Sequence, residues 1–401
     1  MANLAILGYG TVGSGVYEVV KTNQALINKR LGAELNIKYV LDLRDFPGQP
    51  VQEVLVHDYE LIVNDPEVDI VAEVMGGIEP AYTFTKRALL AGKSVCTSNK
   101  ALVAEHGTEL MQIAKEKNVN YMIEASCGGG IPIIRPINEA LTGDEIEEVT
   151  GILNGTTNYI LSKMTSEGSD FADVLKEAQE KGYAERNPEA DVEGHDAQRK
   201  IAILSTLAYG AYLDYKDVYT EGITKITATD IKYAKELGVA IKLLATSKKV
   251  GDQYYAMVSP VMIGSENPLY SVNDVFNAIF LHGNMLGDAM FYGSGAGKLP
   301  TASAVVGDIV ECAKHLGETV SNNWSNQPID LISKDQVENR FFVRVSAEEK
   351  EKAAEIFGSV EEVVAADVAG EYAFVTEKMS EAAFEEKAAG LQVISRIRAR
   401  F

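Results

Sequence analysis

Short apolar runs alternate with stretches of helical periodicity along the first third of the chain. "NLAILGYGTVGSGVYEVV" reads as a buried strand, a glycine turn and the start of a helix. Further strands are expected at Ile37–Asp42 and at Val68–Gly77, the second ending in glycines. "PAYTFTKRALLAGK" predicts a helix, "SVCTSNKAL" a strand running into a loop, and "TELMQIAKEKN" another helix, before "VNYMIEASCGGG" closes the series. Strand–helix alternation of this kind predicts a parallel, doubly wound sheet whose ligands sit at the carboxyl ends of the strands. Met75–Gly77, Thr97–Lys100 and Glu124–Gly130 all fall at such ends. From about Asp335 the pattern changes to strand–helix–strand–strand–helix–strand, from "RFFVRVS" to "VISRIRARF".

Chemistry enters with the first turn. Gly8, Gly10 and Gly13 have the G-x-G-x-x-G spacing, with Thr11 and Val12 between the last two. Such a turn lets backbone approach a pyrophosphate, and the helix that follows points its positive end at it. Because the motif follows a strand and opens a helix, it predicts dinucleotide binding. Gly76, Thr97, Ser98 and Lys100 are further candidates for cofactor contact, since they sit at the expected strand ends. Asp42 ends the second strand, where an acid would hold a ribose 2′-hydroxyl of NAD. Arg44, two residues on, would instead take the 2′-phosphate of NADP, and the balance is placed slightly on NADP.

Composition narrows the classes. The chain has 401 residues, too many for one simple core. With 37 basic and 58 acidic side chains its net charge is 37 − 58 = −21, and it has no long basic run. Nucleic acid and anionic membrane both reward clustered Lys and Arg, so neither is expected as a partner. Cys96, Cys127 and Cys312 are far apart and odd in number, which argues against a disulfide framework and for a reducing cytoplasm. No apolar run approaches the ~18 residues of a membrane span, and the N-terminus reads as a strand rather than a signal peptide.

Two segments in the middle concentrate polar residues. "VTGIL" is strand-like and leads into Asn154–Asn158, "NGTTN", before a helix. Helix capping accounts for one or two of these residues, while a small polar ligand or a nicotinamide would use the rest. "YAERNPEADVEGHDAQRK" then leads into "IAILSTLAYG". Pro188 and Gly194 punctuate it, and Ile201, Leu204 and Ala208 form an apolar stripe, so a helix starts between Asp191 and Asp196. Asp196 and Lys200 then stand at i and i+4 on one face, which an ordinary ion pair would also explain. His195 has no partner at metal-binding spacing and reads as a polar helix-entry residue.

These residues carry a resemblance. Ala178–Lys200 resembles the homoserine dehydrogenase signature at Ala178, Gly182, Tyr183, Ala184, Asn187, Pro188, Asp191, Val192, Gly194, Asp196 and Lys200. "GILNGTTNY" (Gly151–Tyr159), "TSNKAL" (Thr97–Leu102) and "GSGAGKLPTASAVVGD" (Gly293–Asp308) also resemble segments of that family, and the likeness spans roughly Ala2 to Lys314. It implies the reversible NAD(P)-dependent interconversion of L-homoserine and L-aspartate 4-semialdehyde in threonine and methionine biosynthesis. By that similarity Lys200, Lys100 and Asp196 are catalytic, with Lys200 acting on the hydroxyl proton and Lys100 between cofactor and substrate. Glu185 and Asp191 would meet the substrate's ammonium, with Asn154, Gly155, Thr156 and Tyr183 lining the same site, and Gly297 would return to the cofactor. The family's monovalent cation, usually sodium, would take Glu124 and the carbonyls of Cys127, Gly129 and Ile131, although many members have valine at the Cys127 position.

The expected fold class is α/β: a Rossmann-like NAD(P)-binding domain over 1–133, completed by a helix around 300–318, then an α+β substrate-binding, catalytic and dimerisation domain over 134–300. The C-terminal part, 335–401, resembles a small ACT-type α+β domain, and a homodimer or homotetramer is implied with it. The family's Asp-x-x-Gly effector turn is replaced by "VSAEEKEKAAEIFG", so a packing module is favoured over threonine feedback. Two other readings remain open from the residues alone. One is a semialdehyde dehydrogenase using Cys127 as acyl-accepting thiol; the other is a non-catalytic NADPH-binding sensor.

Overall fold

The strand Ala2–Leu7 (β1) is apolar and buried on both faces, as a central parallel strand must be. The computed structural model, which describes all 401 residues, places it in a six-stranded sheet. Its companions are Leu35–Leu41 (β2), Leu55–Val56 (β3), Ile70–Glu73 (β4), Ser94–Thr97 (β5) and Tyr121–Met122 (β6). The order is β3-β2-β1-β4-β5-β6 and every pairing is parallel. This is the strand order of doubly wound dinucleotide-binding sheets, whose switch point lies beside the first strand. Helix Thr11–Thr22 follows the glycine turn, and helix Lys298–Lys314 packs on it. The contact is close because Gly15 lies against the Lys298 carbonyl and Ala302, where a Cβ would meet both at under 3 Å.

The chain divides into two compact units. The first contains Met1–Glu145, Ala202–Asp214 and Gly293–Pro328; the second contains Ile146–Ile201, Tyr215–Tyr292 and Ile329–Phe401. Sequence patterning gave three domains with breaks near 133, 300 and 335. One division between the compact units falls inside helix His195–Tyr209. No loop composition marks it, since a continuous helix carries no turn signal.

In the second unit the strands are Ile146–Ile152 (β7), Tyr219–Thr220 (β8), Ala240–Val250 (β9), Gln253–Ile263 (β10), Phe276–Gly283 (β11) and Gly287–Ser294 (β12), whose last two residues are counted with the first unit. Its C-terminal strands are Glu338–Ser346 (β13), Val360–Val363 (β14), Glu371–Thr376 (β15), Met379–Ser380 (β16) and Val393–Arg400 (β17). The main path runs β12-β11-β7-β9-β10-β17-β13-β15-β14. The last strand pairs parallel to β10 through Val261–Arg398, Met262–Ala399 and Ile263–Arg400. The C-terminal segment therefore shares its ladder with the middle of the chain, while keeping an apolar cluster of its own around Phe341, Phe357, Phe374 and Phe384. At about 1.5–3 kcal/mol per fully buried side chain, that cluster gives the segment a core of its own.

Helix Gly155–Glu167 is anchored by a buried lysine. Lys242 donates to Asn158 Oδ1 at 3.4 Å, Val272 O at 2.5 Å and Asn273 Oδ1 at 2.9 Å. Burial pushes its ammonium down to about 8, against an opposing pull from Asp274. A folded value below the unfolded one means stability that is complete above the unfolded value and lost as pH falls through about 8. Relative to Lys242→Met, the native chain should gain denaturation midpoint as pH is raised from 8 toward 10. Parallel pH profiles for the two chains would contradict this.

Candidate active site

At the sheet's carboxyl edge the glycine turn has the shape a dinucleotide needs. A Cβ on Gly13 would collide with the Gly8 carbonyl, so only glycine lets the helix sit this close to the strand, while Gly10 is open to solvent. Thr11 is exposed and Val12 half-buried beside them. Asp42 and Arg44, weighed above as alternatives, work as one unit. Asp42 accepts from the Tyr9 amide at 2.8 Å, and Arg44 clamps it through Nε at 2.9 Å and its second nitrogen at 3.0 Å. The guanidinium holds the Asp42 carboxyl well below the usual range against the opposing effect of burial.

At the end of β4 lies a group that patterning overlooked. Glu73 is 0% exposed there. It accepts the Thr97 hydroxyl at 2.6 Å and the Met75 amide at 2.9 Å. Thr97 Oγ1 in turn accepts the Asn99 amide at 2.9 Å, and Asn99 Oδ1 caps the helix that begins at Lys100 by accepting from the Leu102 amide. Burial raises the Glu73 carboxyl, and these donors partly offset it. The only signal in the sequence is a lone acid in the apolar run "IVAEV". Ser98 is half-buried next in the loop, Gly76 is exposed, and Gly297 precedes helix Lys298–Lys314 at φ +119.

The second cluster lies in the other unit. Asn154 caps helix Gly155–Glu167 by accepting the Thr157 amide at 2.9 Å. Its Nδ2 simultaneously donates to Asp191 Oδ1 at 2.7 Å and Asp196 Oδ2 at 2.9 Å. Lys200 donates to the same Asp196 oxygen at 2.7 Å and to the Leu153 carbonyl at 2.7 Å. The pair's side chains are 9% and 3% exposed, so it is no ordinary surface ion pair worth a few tenths of a kcal/mol. Burying two charges costs several kcal/mol per ion before any attraction is recovered. The neighbouring residues divide unevenly. Thr156 donates to the Tyr183 carbonyl at 2.6 Å, while the Tyr183 ring lies edge-on to Tyr159 and is 45% exposed. Glu185 is exposed, with its carbonyl taken by Gln179, so it stands outside the buried cluster.

Known proteins identify the arrangement. The family model for "Homoserine dehydrogenase" matches residues 132–310, and that for "Homoserine dehydrogenase, NAD binding domain" matches residues 8–124. The chain belongs to the homoserine dehydrogenase family. It is an NAD(P)-dependent oxidoreductase whose cofactor is a nicotinamide dinucleotide. The homoserine dehydrogenase of a Synechocystis species is 47% identical over 313 residues, covering 77% of this chain and 72% of its own. That of Neisseria gonorrhoeae is 40% identical over 358 residues, covering 87% and 82%. A homoserine dehydrogenase structure from Thiobacillus denitrificans superposes with a TM-score of 0.91 at 33% identity, covering 100% of this chain and 98% of that one. A hyperthermophilic archaeal homoserine dehydrogenase in complex with NADPH gives 0.67 at 30% identity over 78% of this chain and 97% of its own.

Family membership turns away both other readings. Cys127 is fully buried, with the Ser126 hydroxyl 3.9 Å from its sulfur, a poor setting for an acyl-accepting thiol. A cofactor sensor without turnover is likewise not favoured. Glu124, expected at a cation site, is held by the backbone around it. The Glu124 carboxylate accepts the amides of Ile133 at 2.6 Å, Ile134 at 2.9 Å and Arg135 at 2.7 Å. Most of its lone pairs are therefore spent on backbone.

Proposed function

We propose that this chain catalyses the reversible oxidation of L-homoserine to L-aspartate 4-semialdehyde, with Lys200 exchanging the hydroxyl proton. The observation that carries the reading is the buried lysine held between a carboxylate and a backbone carbonyl, on the signature segment of the family. A bound nicotinamide supplies the hydride chemistry. In the oxidative direction Lys200, in its neutral form, accepts the proton of the alcohol, and Asp196 and the Leu153 carbonyl stabilise the ammonium that results. In the reductive direction that ammonium polarises the aldehyde and returns the proton. Asn154 keeps Asp191 and Asp196 together without adding charge. Asp191, with Glu185 from the solvent side, meets the substrate's ammonium, while Gly155, Thr156 and Tyr183 form the remaining wall. Lys100, the first residue of a capped helix, serves the cofactor side.

NADP is the favoured cofactor. Both Asp42 oxygens already accept strong donors, which leaves little for a ribose diol, whereas the exposed Arg44 guanidinium can meet a phosphate. Homoserine-dependent NADPH formation at alkaline pH tests the activity, and Arg44→Ala tests the preference. Its kcat/KM ratio for NADP over NAD should fall about tenfold, the worth of one charge-assisted contact. An unchanged ratio removes Arg44 from the choice.

The reading of the C-terminal segment as an ACT-like packing module is supported by its β17-β13-β15-β14 sheet and its order β13-α-β14-β15-α-β17, to which the two-residue β16 is added. Association into a homodimer or homotetramer is supported by β12, a terminal strand of the sheet that exposes Met290 and Tyr292. Three buried free thiols suit the cytoplasm, and no helix is long and apolar enough to cross a membrane. A sodium ion, held through carbonyls of the 124–131 loop, takes part in none of these steps.

A further inference from the structure

Beyond both matched family segments, β17 ends in "RIRAR", which places one arginine deep in the second unit and a second, half-buried, beside it. Arg398 is 1% exposed. Its Nε and one terminal nitrogen hold Glu381 at 2.6 and 3.0 Å, and its other terminal nitrogen holds Glu221 at 2.8 Å. Arg396 reaches the same two carboxylates at 3.4 Å each. Apolar residues of the same size would fill this space at lower cost, so stability alone does not account for a buried ionic cluster here.

Glu221 leads directly to the signature segment. Its amide donates to the Val258 carbonyl at 2.8 Å, on the same strand whose Val261 faces Arg398. The next residues dock on the turn before the catalytic helix. Gly222 lies so close to Val192 and Glu193 that a Cβ there would clash with backbone. The Ile223 amide donates to the Val192 carbonyl at 2.8 Å, and Thr224 Oγ1 donates to Glu193 at 2.9 Å. Gly194, at φ +84, is packed under Thr220 and Val258 and opens the helix that carries Asp196 and Lys200. Asp191 precedes the same turn.

We infer that Arg398, acting through Glu221, is a positioning residue for the reaction: the C-terminal strand braces the turn that aims Asp191, Asp196 and Lys200. The inference rests on the reading of Lys200 as the proton-exchanging group. A chain of contacts is not yet a coupling, so the two ends must be tested together.

Arg398→Ala would strand Glu381 and risks misfolding, so the informative variants are Glu221→Gln, which keeps shape and burial, and Arg398→Lys. Each should lower kcat with homoserine about tenfold, within the range reported for remote couplings. The KM for NADP should stay unchanged, because the nucleotide turn belongs to the other unit. The double variant should lose little more than the worse single one, since both break the same link. A purely structural role would instead lower the melting temperature and leave kcat of the folded fraction intact. Folded variants with native kcat and homoserine KM, or fully additive losses, would overturn the inference. Lys200→Met, assayed alongside, separates the two failures: loss there with a normal Glu221→Gln removes only the brace. Near-native turnover in Lys200→Met removes the site reading and the brace with it.

Discussion

Lys200→Met is expected to retain about one hundredth or less of the native kcat with homoserine, the usual worth of a positioned proton-exchanging group. Methionine fills much of the same volume but can neither accept the alcohol proton nor polarise the aldehyde. The change also removes one of the donors to the buried Asp196 carboxylate. Breaking a buried pair in this way can cost roughly 3–5 kcal/mol, so the melting temperature should fall as well. Cofactor affinity separates the two effects. The glycine turn and the Asp42–Arg44 clamp belong to the other unit, so the Kd for NADPH should remain native in folded protein. Near-native kcat would refute the assignment, and loss of NADPH binding would point to unfolding instead.

Asn154→Asp should produce a loss of comparable size with a different pH signature. The new carboxylate can still accept the Thr157 amide, so the helix cap survives. What disappears is the amide N–H pair that bridges Asp191 and Asp196 at 2.7 and 2.9 Å. Three acids would then share one small buried space, and like charges at that range force at least one to take up a proton. A group whose folded pKa is raised above its unfolded one binds protons in favour of folding, so the variant's stability should decline as pH rises through the folded value. kcat/KM for homoserine should be reduced about a hundredfold at alkaline pH, with a smaller deficit toward neutrality. The stability loss at neutral pH should be of order 1–3 kcal/mol, the cost of leaving buried polar groups unpaired. A small, pH-independent loss would show that Asn154 serves only as a cap.

Patterning alone recovered much of the nucleotide-binding half. Buried parallel strands are nearly continuous apolar runs, and the Gly8–Gly13 turn has fixed spacing, so β1, β2, β4 and β5 and the residues at their ends could be read directly. The i, i+4 relation of Asp196 and Lys200 was equally visible, because helical geometry is local. Asn154 was ambiguous between cap and ligand contact; its Oδ1 caps, and its Nδ2 reaches acids 37 and 42 residues away.

Other features depended on chain segments that meet only after folding. Glu73 and Thr97 are 24 residues apart, Glu124 spends its carboxylate on amides 9 to 11 residues on, and Arg398 meets Glu221 across 177 residues. No periodicity encodes such partners, because each follows from how sheets and helices pack rather than from neighbouring residues. For the same reason the boundary inside helix His195–Tyr209 and the joining of β17 to β10 left no mark in composition. Local chemistry along the chain specified which groups could react. Packing decided which of them are buried and paired, and so which are held in place to do it.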